Sequence, residues 1–135
     1  MKFVPYLFFD GDCREAFEFY AGLFGGEIRS MMPHRGTPAA DFVPPEWQDK
    51  ILNAQLVIGD QELMASDAPP AHSEPRGGYS ISVQIDDQEK AARIFAALAE
   101  GGSVSMPFEP TFWAKRFGML KDRFGTAWMI NCGEP

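Results

Sequence analysis

The chain has 135 residues, 45% of them hydrophobic, which is enough to bury a real core within one domain. Its 12 basic and 19 acidic residues give a formal net charge of −7, which disfavours nucleic acid and anionic membranes as partners. No apolar run approaches the roughly 18 residues of a membrane helix. Asp10 and Asp12 interrupt the first apolar stretch, which argues against a signal peptide, so we expect a cytoplasmic protein.

The first half of the chain predicts one helix among four strands. The aromatic run at residues 3–9 is typical of a buried strand, and Pro5 places it at a sheet edge or a local irregularity. Asp12 and Glu15 have the spacing of a capping box, apolar residues then recur every three or four positions, and Gly25-Gly26 ends the helix. Strands are predicted at residues 27–32, 51–58 and 62–66.

The second half repeats the first half after a connector at residues 67–78, which is rich in proline and glycine. An offset of 76 residues brings a strand, an acidic helix start, a helix and a double-glycine stop into the same order. Matched positions include Leu7 with Val83, Ala16 with Ala92, Phe19 with Phe95 and Gly25 with Gly101. The second half therefore predicts a strand at residues 79–85 and a helix that Asp86 or Asp87 caps and that runs to Glu100.

The remaining strands are predicted at residues 103–106, 112–120 and 126–132, and the last two form a hairpin whose loop has Gly125 at a position of positive φ. Each half thus reads strand, helix and three strands. Because one helix covers only one face of a sheet, we predict an α+β fold of two four-stranded sheets that curve around a common hollow.

Side chains alternate along a strand, so the pattern also predicts which residues face away from the helices. Ile81, Val83 and Ile85 are expected to pack on the second helix, which leaves Ser80, Ser82 and Gln84 on the other face. Met129 and Asn131 likewise share a face. Such polar rows indicate either a ligand pocket or a strand that faces water.

Three segments resemble a known family: YLFFDGDCREAFEFYAGLFGGEI, IGDQELMASDAPP and TFWAKRFGMLKDRFGTAWMINC. They are similar to the vicinal oxygen chelate superfamily, which includes glyoxalase I, bleomycin- and fosfomycin-resistance proteins and extradiol dioxygenases, and within it to the PhnB-like, or demethylubiquinone methyltransferase-like, subgroup. The resemblance implies a single domain over residues 1–135, with paired βαβββ modules at 1–66 and 79–135 that form a curved sheet cleft. It also implies a homodimer.

The superfamily's metal enzymes hold their ion with His and Glu, and alignment places Pro5, Ser80 and Met129 at those positions. These residues do not form a ligand set for a divalent ion, so we expect neither a metal nor another cofactor. His34 and His72 lie in loops, where we expect solvated side chains. Both glycine pairs follow helices, whereas a methyl-donor site of the usual kind needs a glycine-rich loop before a helix.

The two cysteines, Cys13 and Cys132, have no metal-binding spacing, and we expect buried thiols rather than a disulfide. The helix start at Cys13 would lower the pKa of a nucleophile, but no histidine is near it in sequence. A structural thiol is therefore the favoured interpretation.

We predict that the hollow binds a small, partly apolar organic molecule, with Arg116 or Lys115 holding any carboxylate or phosphate. An enzyme of the superfamily, of lyase, dioxygenase or transferase type, is the alternative, and a protein partner for the loop at 33–47 is a weaker one. The predicted ligand-binding residues are Gln55, Met64, Ser66, Ser80, Ser82, Gln84, Trp113, Arg116, Phe117, Met119, Met129 and Asn131.

Overall fold

The order of strand, helix and three strands occurs in both halves of the chain. A computed structural model describes all of residues 1–135, which divide into two units, Met1–Glu74 and Pro75–Pro135. The first unit consists of β1 (Tyr6–Phe9), α1 (Cys13–Phe24), β2 (Glu27–Pro33), β3 (Ile51–Ile58) and β4 (Gln61–Asp67). The second consists of β5 (Ile81–Gln84), α2 (Gln88–Ala99), β6 (Ser103–Glu109), β7 (Arg116–Lys121) and β8 (Ala127–Cys132). The predicted α+β fold with two βαβββ modules is confirmed.

Each unit forms its own four-stranded sheet, with the orders β1-β4-β3-β2 and β5-β8-β7-β6. The first strand of each unit runs parallel to the last strand, and the other neighbours are antiparallel. The two sheets therefore have the same topology, as the internal repeat predicts.

One face of each sheet packs against the unit's helix. On α1, Ala16, Phe17 and Tyr20 are fully buried, at the four-residue spacing that places side chains on one face. On α2, the buried positions are Ala91, Ile94, Phe95 and Leu98. Burying one large apolar side chain contributes about 1.5–3 kcal/mol, so these faces hold each helix on its sheet. Neither helix combines the length and the apolar character that crossing a membrane requires.

The residues that cap the helices are those predicted from the sequence, except that the capping hydrogen bonds predicted at the start of α1 differ. Gly25 ends α1 in the left-handed conformation, with φ of 68°, and Asp87 caps α2 by accepting a hydrogen bond from the Lys90 amide at 3.1 Å. Asp12 occupies the cap position of α1, but its side chain forms no capping hydrogen bond. The capping box predicted at Asp12 and Glu15 is therefore wrong in its hydrogen bonding, although the helix begins where predicted.

Several predicted strand boundaries differ from the structure, including those of β5, which spans only Ile81–Gln84, and of β6, which continues to Glu109. β1 begins only at Tyr6, although the Pro5 carbonyl already accepts the Met64 amide at 3.0 Å. β7 begins at Arg116 because the Thr111 hydroxyl oxygen accepts the Trp113 and Ala114 amides, at 3.3 and 3.1 Å, and forms a tight turn. Asp67 lies in β4 and not in the connector.

Candidate functional site

The face of the second sheet that points away from α2, its helix-free face, has a mixed polar and apolar surface. Strand register aligns Ser82 with Met129 and Met119 across β5, β8 and β7, and it aligns Gln84 with Asn131 in the next row. The alternate β8 residues Trp128, Ile130 and Cys132 are buried on the helix side. The prediction that Ser82, Gln84, Met129 and Asn131 face away from the helix is therefore confirmed.

Three uncharged side chains on this face form a hydrogen-bonded chain, which we call the amide strip. Asn131 Nδ2 donates to Gln84 Oε1 at 3.0 Å, and Gln84 Nε2 donates to Ser82 Oγ at 2.7 Å. The Ser82 hydroxyl proton, the second N–H of each amide and the Asn131 carbonyl remain able to bond a further molecule. The strip thus presents oriented donors and an acceptor beside the thioethers of Met119 and Met129.

An aromatic pair borders the amide strip on β7. Phe117 aligns with Asn131, and the Trp113 ring lies 5.2 Å from the Phe117 ring in an edge-to-face arrangement. Phe117 is only 5% exposed, whereas Trp113 is 42% exposed. Trp113, positioned by the Thr111 turn, is therefore the exposed ring of the pair, and Phe117 is the buried one.

Arg116 does not lie beside these residues. It aligns with Cys132, whose side chain is on the helix side of the sheet, so period two places Arg116 and Phe117 on opposite faces. Arg116 Nη2 donates to the Phe108 carbonyl at 2.8 Å, and its guanidinium lies 4.3 Å from the centre of the Phe108 ring. Arg116 therefore lies on the opposite face from the amide strip, and its role in holding a carboxylate or phosphate stays a prediction. Ser80 lies just before β5.

The other predicted ligand-binding residues lie on the first sheet. Gln55 aligns with Met64, and Ser66 follows two positions later on the same face of β4, where it is almost fully buried. Gln55 Nε2 donates to Glu62 Oε1, so its amide is held within the unit. The hollow shared by both halves stays a prediction.

The side chains present do not fit a divalent metal ion. Pro5 has no donor, Ser80 is a weak ligand, and Met129 offers a thioether on the helix-free face. Nowhere in residues 1–135 do three His, Cys, Asp or Glu side chains gather in a group that would hold a metal. His72 is exposed, as expected, but His34 is buried, with Nδ1 2.8 Å from the Lys50 carbonyl, so the expectation of a solvated His34 is wrong.

The start of α1 is occupied by a carboxylate of the chain itself. Asp67 Oδ1 accepts the Gly11 and Cys13 amides at 2.9 and 3.0 Å, and Oδ2 accepts the Ile51 amide at 2.8 Å. A helix N-terminus of this kind would otherwise attract a phosphate or carboxylate. The sequence predicts Asp67 in the connector, so its buried role at the start of α1 is not apparent from the residues around it.

Cys13 is a structural thiol. Both cysteines are free and buried, as predicted. Burial is the main cause that raises the pKa of Cys13 to about 12, and the negative charge of Asp67 adds to it. The thiol therefore stays protonated and unreactive at neutral pH.

We expect native protein at pH 8 to resist alkylation of Cys13 by iodoacetamide, because the side chain is both protonated and inaccessible. Peptide mass spectrometry after timed exposure measures modification of each cysteine separately, and protein unfolded in guanidinium chloride serves as the control in which both react. Rapid modification of Cys13 in the folded protein would contradict the structural assignment.

Comparison with known proteins identifies relatives over almost the whole length of the chain. Residues 1–131 match the family model for 3-demethylubiquinone-9 3-methyltransferase. Protein YjdN of Escherichia coli is 32% identical, covering 97% of this chain and 95% of that protein. The crystal structure of protein PA1353 from Pseudomonas aeruginosa is 51% identical, covers 100% of this chain and 99% of that chain, and has a TM-score of 0.90.

Two further solved structures are similar to this chain. The putative 3-demethylubiquinone-9 3-methyltransferase, PhnB protein, from Bacillus cereus is 25% identical, covers 98% of this chain and 100% of that chain, and has a TM-score of 0.81. The fosfomycin resistance protein FosX from Mesorhizobium loti shares the fold, with a TM-score of 0.64 at 14% identity over 98% of this chain and 91% of that chain. This chain therefore belongs to the 3-demethylubiquinone-9 3-methyltransferase family, is similar to a PhnB protein, and shares the fold of FosX.

Proposed function

We propose that the helix-free face of the second sheet binds a small, partly apolar organic molecule, and that the protein's own side chains do so without a metal. The observation that carries the proposal is the amide strip of Ser82, Gln84 and Asn131 beside Met119, Met129 and Trp113. Amides and hydroxyls fix the orientation of a ligand, while thioether and aromatic surface supplies adaptable apolar contact. A ligand that suits both the polar and the apolar side chains is an aromatic or quinone-like compound with one hydrogen-bonding group.

The strip is suited to binding because it is oriented before a ligand arrives. Each amide is already fixed by one hydrogen bond to a neighbour, so little side-chain entropy is lost when its remaining groups bond a ligand. Arg116 is directed to Phe108 on the other face of the sheet, so no guanidinium lies within the strip. A ligand that bonds the strip therefore meets neutral groups, which favours an uncharged carbonyl or hydroxyl at that end.

Methyl transfer, which the family description names, is not part of the proposal. Gly25 ends a helix and Gly101 lies two residues after the end of another, rather than opening a cofactor loop. The amides at the start of α1 are bonded to Asp67. The family's implied homodimer stays a prediction, which light scattering of the purified protein tests.

Replacing Asn131 by leucine is expected to weaken ligand binding about tenfold, because a hydrogen-bonding partner is lost while side-chain volume is kept. The measurement is an NMR titration with a panel of small aromatic and quinone-like compounds, followed by crystal soaking with those that bind. Gln88→Leu removes an exposed amide from α2 and is the matched control, for which no change is expected.

Density for the bound compound should lie against Ser82, Gln84 and Asn131. Compounds that bind only elsewhere, or that bind Asn131→Leu as tightly as the unaltered protein, would refute the proposal. A purified protein that carries a stoichiometric metal ion would revive the enzyme alternative.

A further inference from the structure

The helix-free face of the first sheet carries a carboxylate that the chain's own N-terminal segment neutralises. Glu62 lies on β4 with its side chain only 13% exposed, and its Oε2 pairs with the ammonium of Lys2, whose side chain is 71% exposed. Its Oε1 accepts the Gln55 amide from the neighbouring strand. The hydrogen bond from Lys2 is the main cause that lowers the pKa of Glu62, so the group is an anion at neutral pH.

Further along the same face from this carboxylate lie Met64 and then two aromatic rings, while Arg29 adds a second positive charge near Glu62. Tyr6 aligns with Met64, which is two positions from Glu62 and therefore on the same face of β4. Phe8 follows Tyr6 on that face, and the two exposed rings lie 5.2 Å apart. Met64 offers a deformable apolar floor beside the carboxylate, and the two rings beyond it offer apolar contact to the body of a ligand.

The contact between Lys2 and Glu62 shows the kind of group that this site binds, a primary ammonium. Lys2 belongs to the segment before β1, and it delivers a primary ammonium on an aliphatic stem to an oriented, partly buried anion. Because Lys2 is much more exposed than Glu62, a molecule that brings its own ammonium group can replace it while the Gln55 hydrogen bond stays in place.

We propose that Glu62, Gln55, Met64 and the Tyr6 and Phe8 rings form a binding site for a small primary amine with an apolar or aromatic body, and that Lys2 occupies this site in the free protein. The site lies within the first unit and does not depend on the function proposed for the second sheet. Lys2 then acts as an internal competitor, so a ligand must displace it before binding.

The test uses benzylammonium and its neutral analogue benzyl alcohol, titrated into the full chain and followed by the amide resonances of Tyr6 and Met64. We expect the unaltered protein to prefer benzylammonium. Lys2→Met, which keeps the length of the side chain but removes its charge, should bind benzylammonium about two- to fivefold more tightly, as expected for an exposed ion pair that no longer competes. Glu62→Gln should abolish the preference for the charged compound.

Several outcomes would overturn the proposal: no binding of benzylammonium, unchanged affinity in Lys2→Met, or a preference for the amine that persists in Glu62→Gln. A dispersed amide spectrum establishes that Glu62→Gln is folded. If that variant does not fold, the comparison of the unaltered protein with Lys2→Met decides the question, because Lys2 precedes all helices and strands.

Discussion

Replacing Asp67 by alanine is expected to destabilise the protein by about 3–5 kcal/mol. The buried carboxylate on β4 accepts three backbone amides, those of Gly11 and Cys13 at the start of α1 and that of Ile51 at the start of β3, so it joins three segments of the first unit. Alanine leaves these donors without their acceptor, and each buried unsatisfied donor costs about 1–3 kcal/mol. Urea unfolding followed by circular dichroism measures the loss as a shift of the midpoint.

Asp60→Ala is the matched control, because this aspartate is exposed in the turn between β3 and β4, and its removal should change stability by less than about 0.5 kcal/mol. Asp67→Asn should also be strongly destabilising, since its amide group must direct N–H toward one of the backbone donors. If Asp67→Ala unfolded at the same urea concentration as Asp60→Ala, the carboxylate would not hold the three segments together.

The elements of the fold could be predicted because their signals are local. Period two in β8 predicts which face is buried, and the structure confirms it. In α1 the three- and four-residue spacing predicts a face of Ala16, Phe19, Tyr20, Leu23 and Phe24. Ala16 and Tyr20 are buried, whereas the other three are only partly buried and Phe17 is buried in addition. Glycine is also a local signal, because it adopts the positive φ that helix ends and tight turns need. The φ angle is 68° at Gly25 and 90° at Gly125. The repeat then predicts the topology, because two halves with the same order of elements are expected to pack their helix and strands in the same way.

Contacts between distant segments could not be predicted in this way. Asp67 reaches an amide 54 residues earlier in the chain, and nothing in the surrounding DAPP sequence indicates that its side chain is buried. His34 is similar, because its burial depends on the carbonyl of Lys50 and not on a local pattern. Such residues are identified only when the strands are assembled.

The candidate site contains residues whose placement the sequence pattern predicts and residues whose placement it does not. The alternation along β5 and β8 correctly assigns the amide strip to the helix-free face. The same rule, applied to β7, places Arg116 and Phe117 on opposite faces, although the sequence predicts both as ligand-binding residues. The hydrogen bonds of Thr111 form a turn that ends the extended run before Arg116. No periodic pattern in the sequence indicates this turn.

Asp122→Ala is expected to destabilise the second unit by about 3–5 kcal/mol, for a reason that parallels Asp67. Asp122 is buried in the hairpin between β7 and β8, where Oδ1 accepts the Phe124 and Thr126 amides at 2.9 and 3.0 Å. Its Oδ2 accepts the indole N–H of Trp128 at 2.9 Å. The carboxylate thus orients both the loop and the largest fully buried side chain of the unit.

Two measurements distinguish this role from a general effect of shortening a side chain. Urea unfolding gives the change in stability, with the exposed Asp86→Ala as the control from the same unit. Hydrogen exchange of the Trp128 indole N–H gives the local effect, and we expect it to be faster in Asp122→Ala than in the control, because the proton has lost its acceptor. Equal exchange in both variants would show that Asp122 does not fix Trp128. In that case the indole would be held by packing against its neighbours alone, and the bond to the hairpin would contribute little to the helix-side core of the second sheet.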